Sequence, residues 1–384
     1  MSAQSLRIGI IGTVGVPGRY GGFETLADQL VRHLGRDMSF SVACSDRELP
    51  AGTPRPAAWR GAKLHYFPLR ANGAQSIPYD LWSMLKIGPE IDIFLVLGVS
   101  GGPFIPMIKR LYGKPVIAHI DGQEWKRPKW SRPVKAYLNW AERMAVRHAD
   151  VIIADNAGIQ DYVTDTYGRE SELIAYGGDH AQQAFLTPIA LERFPFLAGD
   201  YACKVCRIEP ENQIETVLAA FAAQDKLPLV LIGNWDHSAF GQEIRARYAH
   251  HPHLHLLDPI YEPSILNLIR GRAAVYVHGH AAGGTNPSLV EAMSLGLPVL
   301  ANGVVFNRAT TEGQAVFFSD KASLMQELQD LTPTRRARLG AEMAAIAARR
   351  YTWAGVATQY AALFRRVAGL APVVSPASTL HSAA

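Results

Sequence analysis

The sequence predicts an α/β chain of two doubly wound, Rossmann-like domains facing one another across a cleft. Three observations predict it. A chain of 384 residues is too long for one ordinary core. Short apolar runs alternate with helical periodicity twice over, once in each half. In each half a glycine-rich turn joins an apolar run to a helix, where a parallel sheet of this kind binds its ligand.

The first series opens with Arg7–Ile11, a short apolar run followed by glycines, read as a buried parallel strand. Phe23, Leu26, Ala27, Leu30, Val31 and Leu34 then recur at helical spacing. Further strands are expected at Ile91–Leu97, Pro115–Ile120 and Val151–Ala154, with a helix over Arg132–Ala149. Residues from about 180 to 200 carry Pro188, Pro195 and Gly199 without periodicity, and read as the linker. A second series starts at Tyr201 and continues through Leu229–Ile232, His253–Leu257, Ala274–His278 and Pro298–Ala301. A last helix has Trp353, Val356, Ala357, Tyr360, Phe364 and Val367 along one side. The expected divisions are an N-terminal domain over 1–185, a C-terminal domain over 186–351, the last helix over 352–367, and a disordered Ala/Ser/Pro-rich tail over 368–384.

Composition excludes several classes. Hydrophobic residues at 48% and charged residues at 19% fit a globular chain, and the net charge of +4 is small. Three cysteines do not make a disulfide framework and point to a reducing cytoplasm. Cys203 and Cys206 form a CxxC, but three positions apart on a strand they face opposite ways, against a redox or zinc role. The N-terminal apolar run is broken by Gly9, Gly12, Gly15 and Pro17, unlike a secretory leader. The uncharged stretch Ile93 to Ile108 contains three glycines and two prolines and is too broken to span a bilayer. Membrane contact is therefore expected to be peripheral.

Two motifs carry the chemistry. The first runs from Gly12 to Glu24; glycines between strand and helix let backbone approach a phosphate, which the helix N-terminus then favours. Its spacing is not GxGxxG, and no acidic residue clearly ends a second strand, which ranks an NAD oxidoreductase last. The second runs from His278 to Met293. There a strand ends, glycines turn, and Asn286 caps a helix with Pro287 at its first position. That arrangement suits a diphosphate, and Glu291, a turn into the helix, suits ribose hydroxyls.

In these motifs the chain resembles the retaining glycosyltransferase family 4, of the two-lobed GT-B kind. Within it, the chain is similar to bacterial polysaccharide rhamnosyltransferases with YGGFE, DGxEWKR and GGTNPSLxEAM motifs. Here these are Tyr20–Glu24, Asp121–Arg127 and Gly283–Met293, joined by Arg207–Asn212 and Tyr176–Asp179, and the likeness covers roughly residues 7 to 367. The resemblance implies a donor site of Gly21, Gly22, Arg207, Asn212, His280, Gly283, Gly284, Thr285, Asn286 and Glu291. It implies an acceptor site of Tyr20, Phe23, Glu24, Glu124, Trp125, Lys126 and Arg127. Asp121 and His119, on one face of a strand end, are alternative polar groups beneath the reacting sugar, and Arg207 neutralises the leaving diphosphate. The wider family's first glutamate is replaced by Gly283, and Asn212 stands near its usual lysine.

The implied reaction is retaining transfer of L-rhamnose from dTDP-L-rhamnose to a lipid-linked saccharide in exopolysaccharide or capsule synthesis. No cofactor is expected beyond the sugar nucleotide, and no metal. His250, His251, His253 and His255 invite a metal reading but lack a nearby Cys or paired carboxylate, and read as loop histidines. Residues 109 to 148 hold ten Lys or Arg against Asp121, Glu124 and Glu142, with Trp125, Trp130, Tyr137 and Trp140 among them. That composition suits the anionic face of a membrane; nucleic acid is not expected, since no binding module accompanies the charge. The location implied is cytoplasmic, at the inner membrane surface. The alternatives are a UDP-sugar donor, a nucleotide-sugar epimerase, or an inactive sugar-nucleotide-binding protein.

Overall fold

Alternating apolar runs and amphipathic stretches fold as strands and covering helices, in two sheets. The computed structural model describes residues 5–18, 21–49, 52–120, 122–127 and 130–370. Asp121, Tyr20 and the tail from 371 onward lie outside the described residues.

The first lobe contains β1 (Leu6–Ile11), α1 (Gly22–Leu34), β2 (Met38–Ser45), β3 (Ala58–Trp59), β4 (Ala62–Phe67), α2 (Ser76–Ile87), β5 (Ile93–Leu97), α3 (Ile105–Tyr112), β6 (Val116–Ile120), α4 (Arg132–His148), β7 (Val151–Ala154), α5 (Ala157–Tyr167) and β8 (Glu172–Leu173). Among the described residues its sheet has the order β3-β4-β2-β1-β5-β6-β7-β8, parallel except for the β3–β4 pair. Every residue of β5 and β6 is buried, as a sheet covered on both faces requires.

The second lobe follows with α6 (Pro188–Arg193), β9 (Ala202–Val205), α7 (Ile214–Ala222), β10 (Leu229–Ile232), α8 (Ala239–Tyr248), β11 (Leu254–Leu257), α9 (Pro263–Gly271), β12 (Val275–His278), α10 (Pro287–Ser294), β13 (Val299–Asn302), α11 (Val305–Thr310), β14 (Val316–Phe318), α12 (Lys321–Gln329) and α13 (Pro333–Arg350). Its sheet is parallel, in the order β11-β10-β9-β12-β13-β14. Cys203 packs into one core layer of this sheet and Cys206 into the other. The segment around 180–200 is more ordered than its composition suggests. Thr187 caps α6 with Pro188 in its first turn, and Leu197 is fully buried against the second sheet.

A final helix, α14 (Trp353–Val367), crosses back to pack on α1. Val356, Ala357, Tyr360 and Phe364 join one apolar cluster with Leu26, Leu30 and Val31 of α1 and with Leu289, Val290 and Met293 of α10. Each large side chain buried there contributes roughly 1.5–3 kcal/mol. The Tyr176–Asp179 motif fastens the crossing. Gly178 N–H donates to Tyr351 O at 2.8 Å, and Trp353 N–H donates to Asp179 Oδ1 at 2.8 Å.

In each sheet the strand order reverses beside one central strand, β1 in the first and β9 in the second. The carboxyl ends at these switch points bound the crevice where such folds hold ligands.

Candidate functional site

The two glycine-rich turns meet across the cleft. A Cβ placed on Gly22 would lie 3.3 Å from Tyr176 and 3.4 Å from Pro287, so the start of α1 abuts the start of α10. Gly21 is exposed at the N-cap of α1. Glu24, expected at the acceptor, also braces its own turn. Its Oε1 accepts from Val14 N–H at 2.9 Å and from Thr13 Oγ1 at 3.2 Å. Burial pushes its carboxyl up, partly offset by the Val14 N–H. Phe23 presents its ring to the edge of His119, with centroids 5.2 Å apart.

Asn286 caps α10, accepting from Ser288 N–H at 3.0 Å and Ser288 Oγ at 2.7 Å, with Pro287 in the first turn. Thr285, expected at the donor, is buried and donates from Oγ1 to Asp155 O of the other lobe at 2.5 Å. Asn156, which caps α5, donates to Phe306 O at 3.1 Å and Thr310 Oγ1 at 3.0 Å. Gly284 permits the approach: a Cβ there would fall 1.8 Å from Asp155 Oδ1. Gly283, at φ +103°, lies beside Arg127, whose Nη2 is 3.9 Å from a Cβ placed there.

Glu291 is clamped from two sides. Arg270, 2% exposed, pairs with Oε2, and His180 Nε2 lies 3.1 Å from Oε1. Trp353 Nε1, which only donates, bonds His180 Nδ1 at 2.8 Å, so Nε2 carries the hydrogen that faces Glu291. Burial would raise the Glu291 carboxyl, but Arg270 and His180 outweigh it and hold it below its ordinary value.

At the carboxyl ends of β9 and β12 positive charge converges. Arg207 is exposed at the end of β9. Asn212, expected to touch the donor, donates its amide to Arg207 O at 2.7 Å. His278 and His280 stack with ring centroids 4.4 Å apart. Burial first, then nearby basic groups, hold both rings neutral; Lys204, Arg207 and Arg127 are those nearest His280 besides His278 itself. Arg127 reaches in from the first lobe, 7% exposed, with Nε 2.6 Å from Glu124 and Nη1 4.0 Å from Glu211.

His119 is a packing residue in this arrangement. It is 1% exposed, stacks on Tyr176 at 5.8 Å, and its Nδ1 is 3.1 Å from Tyr360 Oη of α14. Burial drives its pKa down to about 3, so the ring is neutral. Trp125 Nε1 lies 3.4 Å from the buried Glu142, and Lys126 sits over the rings of Trp125 and Tyr162. In the histidine run His250 and His251 pack ring on ring with centroids 4.2 Å apart and His251 meets His253 at 5.7 Å, while His253 Nε2 lies 3.0 Å from Phe221 O and His255 packs on Phe196. No three His, Cys, Asp or Glu side chains among the described residues are grouped to hold a metal.

The site therefore offers a braced first turn, a capped helix start, a clamped carboxylate and a convergence of cations at the strand ends. Three solved structures share this arrangement of elements. A sucrose-phosphate synthase from Thermosynechococcus elongatus superposes with TM-score 0.78 at 16% identity, covering 94% of this chain and 99% of that one. Anabaena HepE in complex with UDP-glucose does so with TM-score 0.72 at 14% identity, over 94% and 100%. An α,α-trehalose 6-phosphate synthase from Burkholderia multivorans gives 0.68 at 16%, over 96% and 98%. The fold is GT-B. Residues 6–179 match a family model described as a domain of unknown function, DUF1972. No curated protein matches the chain in sequence.

Sequence reasoning missed Arg270, His180, Asp155, Asn156 and Lys204. Lys204 had a visible signal, a charge inside an apolar strand. Apart from the local cap that Asn156 gives α5, the others act through partners more than 20 residues away, which no local pattern reports.

Proposed function

We propose that the chain is a retaining, metal-independent glycosyltransferase that moves L-rhamnose from dTDP-L-rhamnose to a lipid-linked saccharide. The observation that carries this reading is the placing of Arg127 of the first lobe beside the Gly283 turn, with Arg207 exposed at the carboxyl end of β9. Cations from both lobes there suit a diphosphate, which carries its charge between nucleoside and sugar. In the reaction, the bond from the sugar C1 to the diphosphate oxygen breaks. A phosphate oxygen takes the acceptor hydroxyl proton, and the acceptor oxygen bonds C1 on the same face. Arg207 neutralises the leaving diphosphate, the part a metal plays elsewhere. Glu291, already paired, offers its remaining lone pairs to ribose hydroxyls. Asp121 is assigned the polar role beneath the sugar, because His119 is neutral and engaged by Tyr360.

The lobes touch through Thr285 and Gly284, so the donor enters when they part. A membrane-facing acceptor side is supported by the first lobe's surface. Trp82, Leu85, Met107, Leu111 and Trp140 are exposed on α2, α3 and α4, among the exposed Arg110, Arg132, Arg143 and Arg147. No helix among the described residues is long and apolar enough to cross a membrane. A UDP-sugar donor is the second reading, favoured by the UDP-glucose bound to HepE.

Thermal-shift titration with dTDP, UDP, GDP and NAD in the presence of chelator tests the proposal. A ligand at a hundred times its Kd adds about 2.7 kcal/mol. Selective stabilisation by dTDP is expected, and a UDP preference changes the donor alone. Stabilisation by none of the nucleoside diphosphates, or by NAD only, overturns the reading.

A further inference from the structure

Lys204 occupies a place where a strand of this kind normally carries an aliphatic side chain. It is the third residue of β9, on the face shared with Ala202 and Cys206, and is 1% exposed. Its Nζ has no hydrogen-bond partner among the described residues. A buried, unpartnered ammonium costs several kcal/mol, more than an aliphatic side chain would at the same position.

The side chain runs along the strand to the carboxyl edge of the sheet. There its Nζ lies 2.8 Å from where a Cβ on Gly279 would stand. The same Cβ would fall 2.4 Å from Asn212 O and 3.1 Å from Gln213 Cβ. The glycine therefore leaves open the space through which the ammonium faces the turn between β12 and α10. Beside that turn stand Arg207 and the His278–His280 stack, and His278 has neither ring nitrogen hydrogen-bonded among the described residues. The nearby acids do not supply the missing anion: Glu211 lies toward Arg127, and Lys204 has no ion pair among the described residues.

We propose that Lys204 binds the diphosphate of the donor from beneath the sheet edge, past Gly279, while Arg207 holds it from the solvent side. This rests on the sugar-nucleotide reading above and names a residue that completes its anion site.

The test is calorimetric titration of the full chain and of Lys204→Met, which keeps volume and removes charge. The probes are dTDP and UDP, their nucleosides, and inorganic diphosphate. The expected result is a loss of about ten- to a hundredfold in affinity for the diphosphates in the variant. Nucleoside affinity stays unchanged, and thermal stability equals or exceeds that of the parent. Lys204→Gln repeats the test should the Met variant fail to fold. Equal diphosphate affinity in parent and variant overturns the role of Lys204 and leaves the sugar-nucleotide reading intact. Lys204-dependent binding of inorganic diphosphate without any nucleotide binding supports the anion site and overturns the nucleotide reading. Binding of no diphosphate by the parent overturns both.

Discussion

Replacing Glu291 by Ala strikes the second lobe's stability as well as the proposed nucleotide site. The carboxylate is the partner of Arg270, whose guanidinium is 2% exposed, and it accepts from His180. Stranding one member of a buried ion pair costs about 3–5 kcal/mol. At about 2–4 °C per kcal/mol for a lobe of this size, the apparent melting temperature should fall by about 6–20 °C. The pair, rather than the carboxylate itself, sets that loss, so Glu291→Ala combined with Arg270→Met should recover most of it. The pH dependence has a defined sign. Glu291 is held below its ordinary carboxylate value in the fold, so its contribution is complete above about pH 4.5. It is lost as pH falls through the lowered folded value, and parent and variant should converge in acid. Thermal unfolding followed by far-UV circular dichroism across this range measures both effects. A Glu291→Ala variant within about 0.5 kcal/mol of the parent at neutral pH, the scale of an ordinary surface change, would refute the reasoning.

Other perturbations address the cleft and the buried rings. Arg207→Ala should weaken nucleoside diphosphate binding about ten- to a hundredfold while leaving the melting temperature of the exposed site near the parent's, as read by calorimetry and thermal unfolding. Gly284→Ala places a methyl 1.8 Å from Asp155 Oδ1, so the lobes must separate; an increased radius of gyration by small-angle scattering is expected, and an unchanged one counts against this contact. His119 has its pKa depressed to about 3, so the unfolded chain binds its proton first. Stability from this ring is complete above about pH 6.5 and declines as pH falls toward 3. His119→Phe should lower the slope of stability against pH in that window by about 1.4 kcal/mol per unit. An unaltered slope in urea titrations at several pH values would place the depressed histidine elsewhere.

The parts of the fold legible in the sequence are those set by local pattern. β5 is a fully apolar run, β6 is apolar but for His119, and α14 shows one continuous apolar side; all three are legible. Asn286 and Pro287 announced the start of α10, because a cap is a chemical property of two adjacent residues. β2 and β4 were not seen as strands: β4 interleaves Lys63 and His65 with apolar residues near a sheet edge, where polar side chains reach solvent. The 180–200 segment read as a linker because a six-residue helix is too short to show periodicity, although Leu197 anchors it.

At the site, residue type was more legible than direction. Glu24, Thr285 and Asn212 were assigned to ligands. Each bonds to a backbone group, at Val14, Asp155 and Arg207. A polar side chain in a tight turn has two competing claims on it, the ligand and the turn's own peptide groups, and composition alone does not rank them. The clamp on Glu291 depends on Arg270, His180 and Trp353, which distant stretches of chain bring together.

The return of α14 to the first lobe makes that lobe discontinuous in sequence. Its apolar seat on α1 is covered by residues 353–367, while its sheet is complete by Leu173. A linear cut between the sheets would thus yield no self-sufficient half. The first fragment would bare Leu26, Leu30 and Val31, and the second would carry a helix that keeps its contact with α10 but has lost its seat on α1. A circular permutant that places the last helix ahead of β1 would turn each lobe into an uninterrupted module. The boundaries along the chain and the boundaries of autonomous folding are, in this protein, different lines.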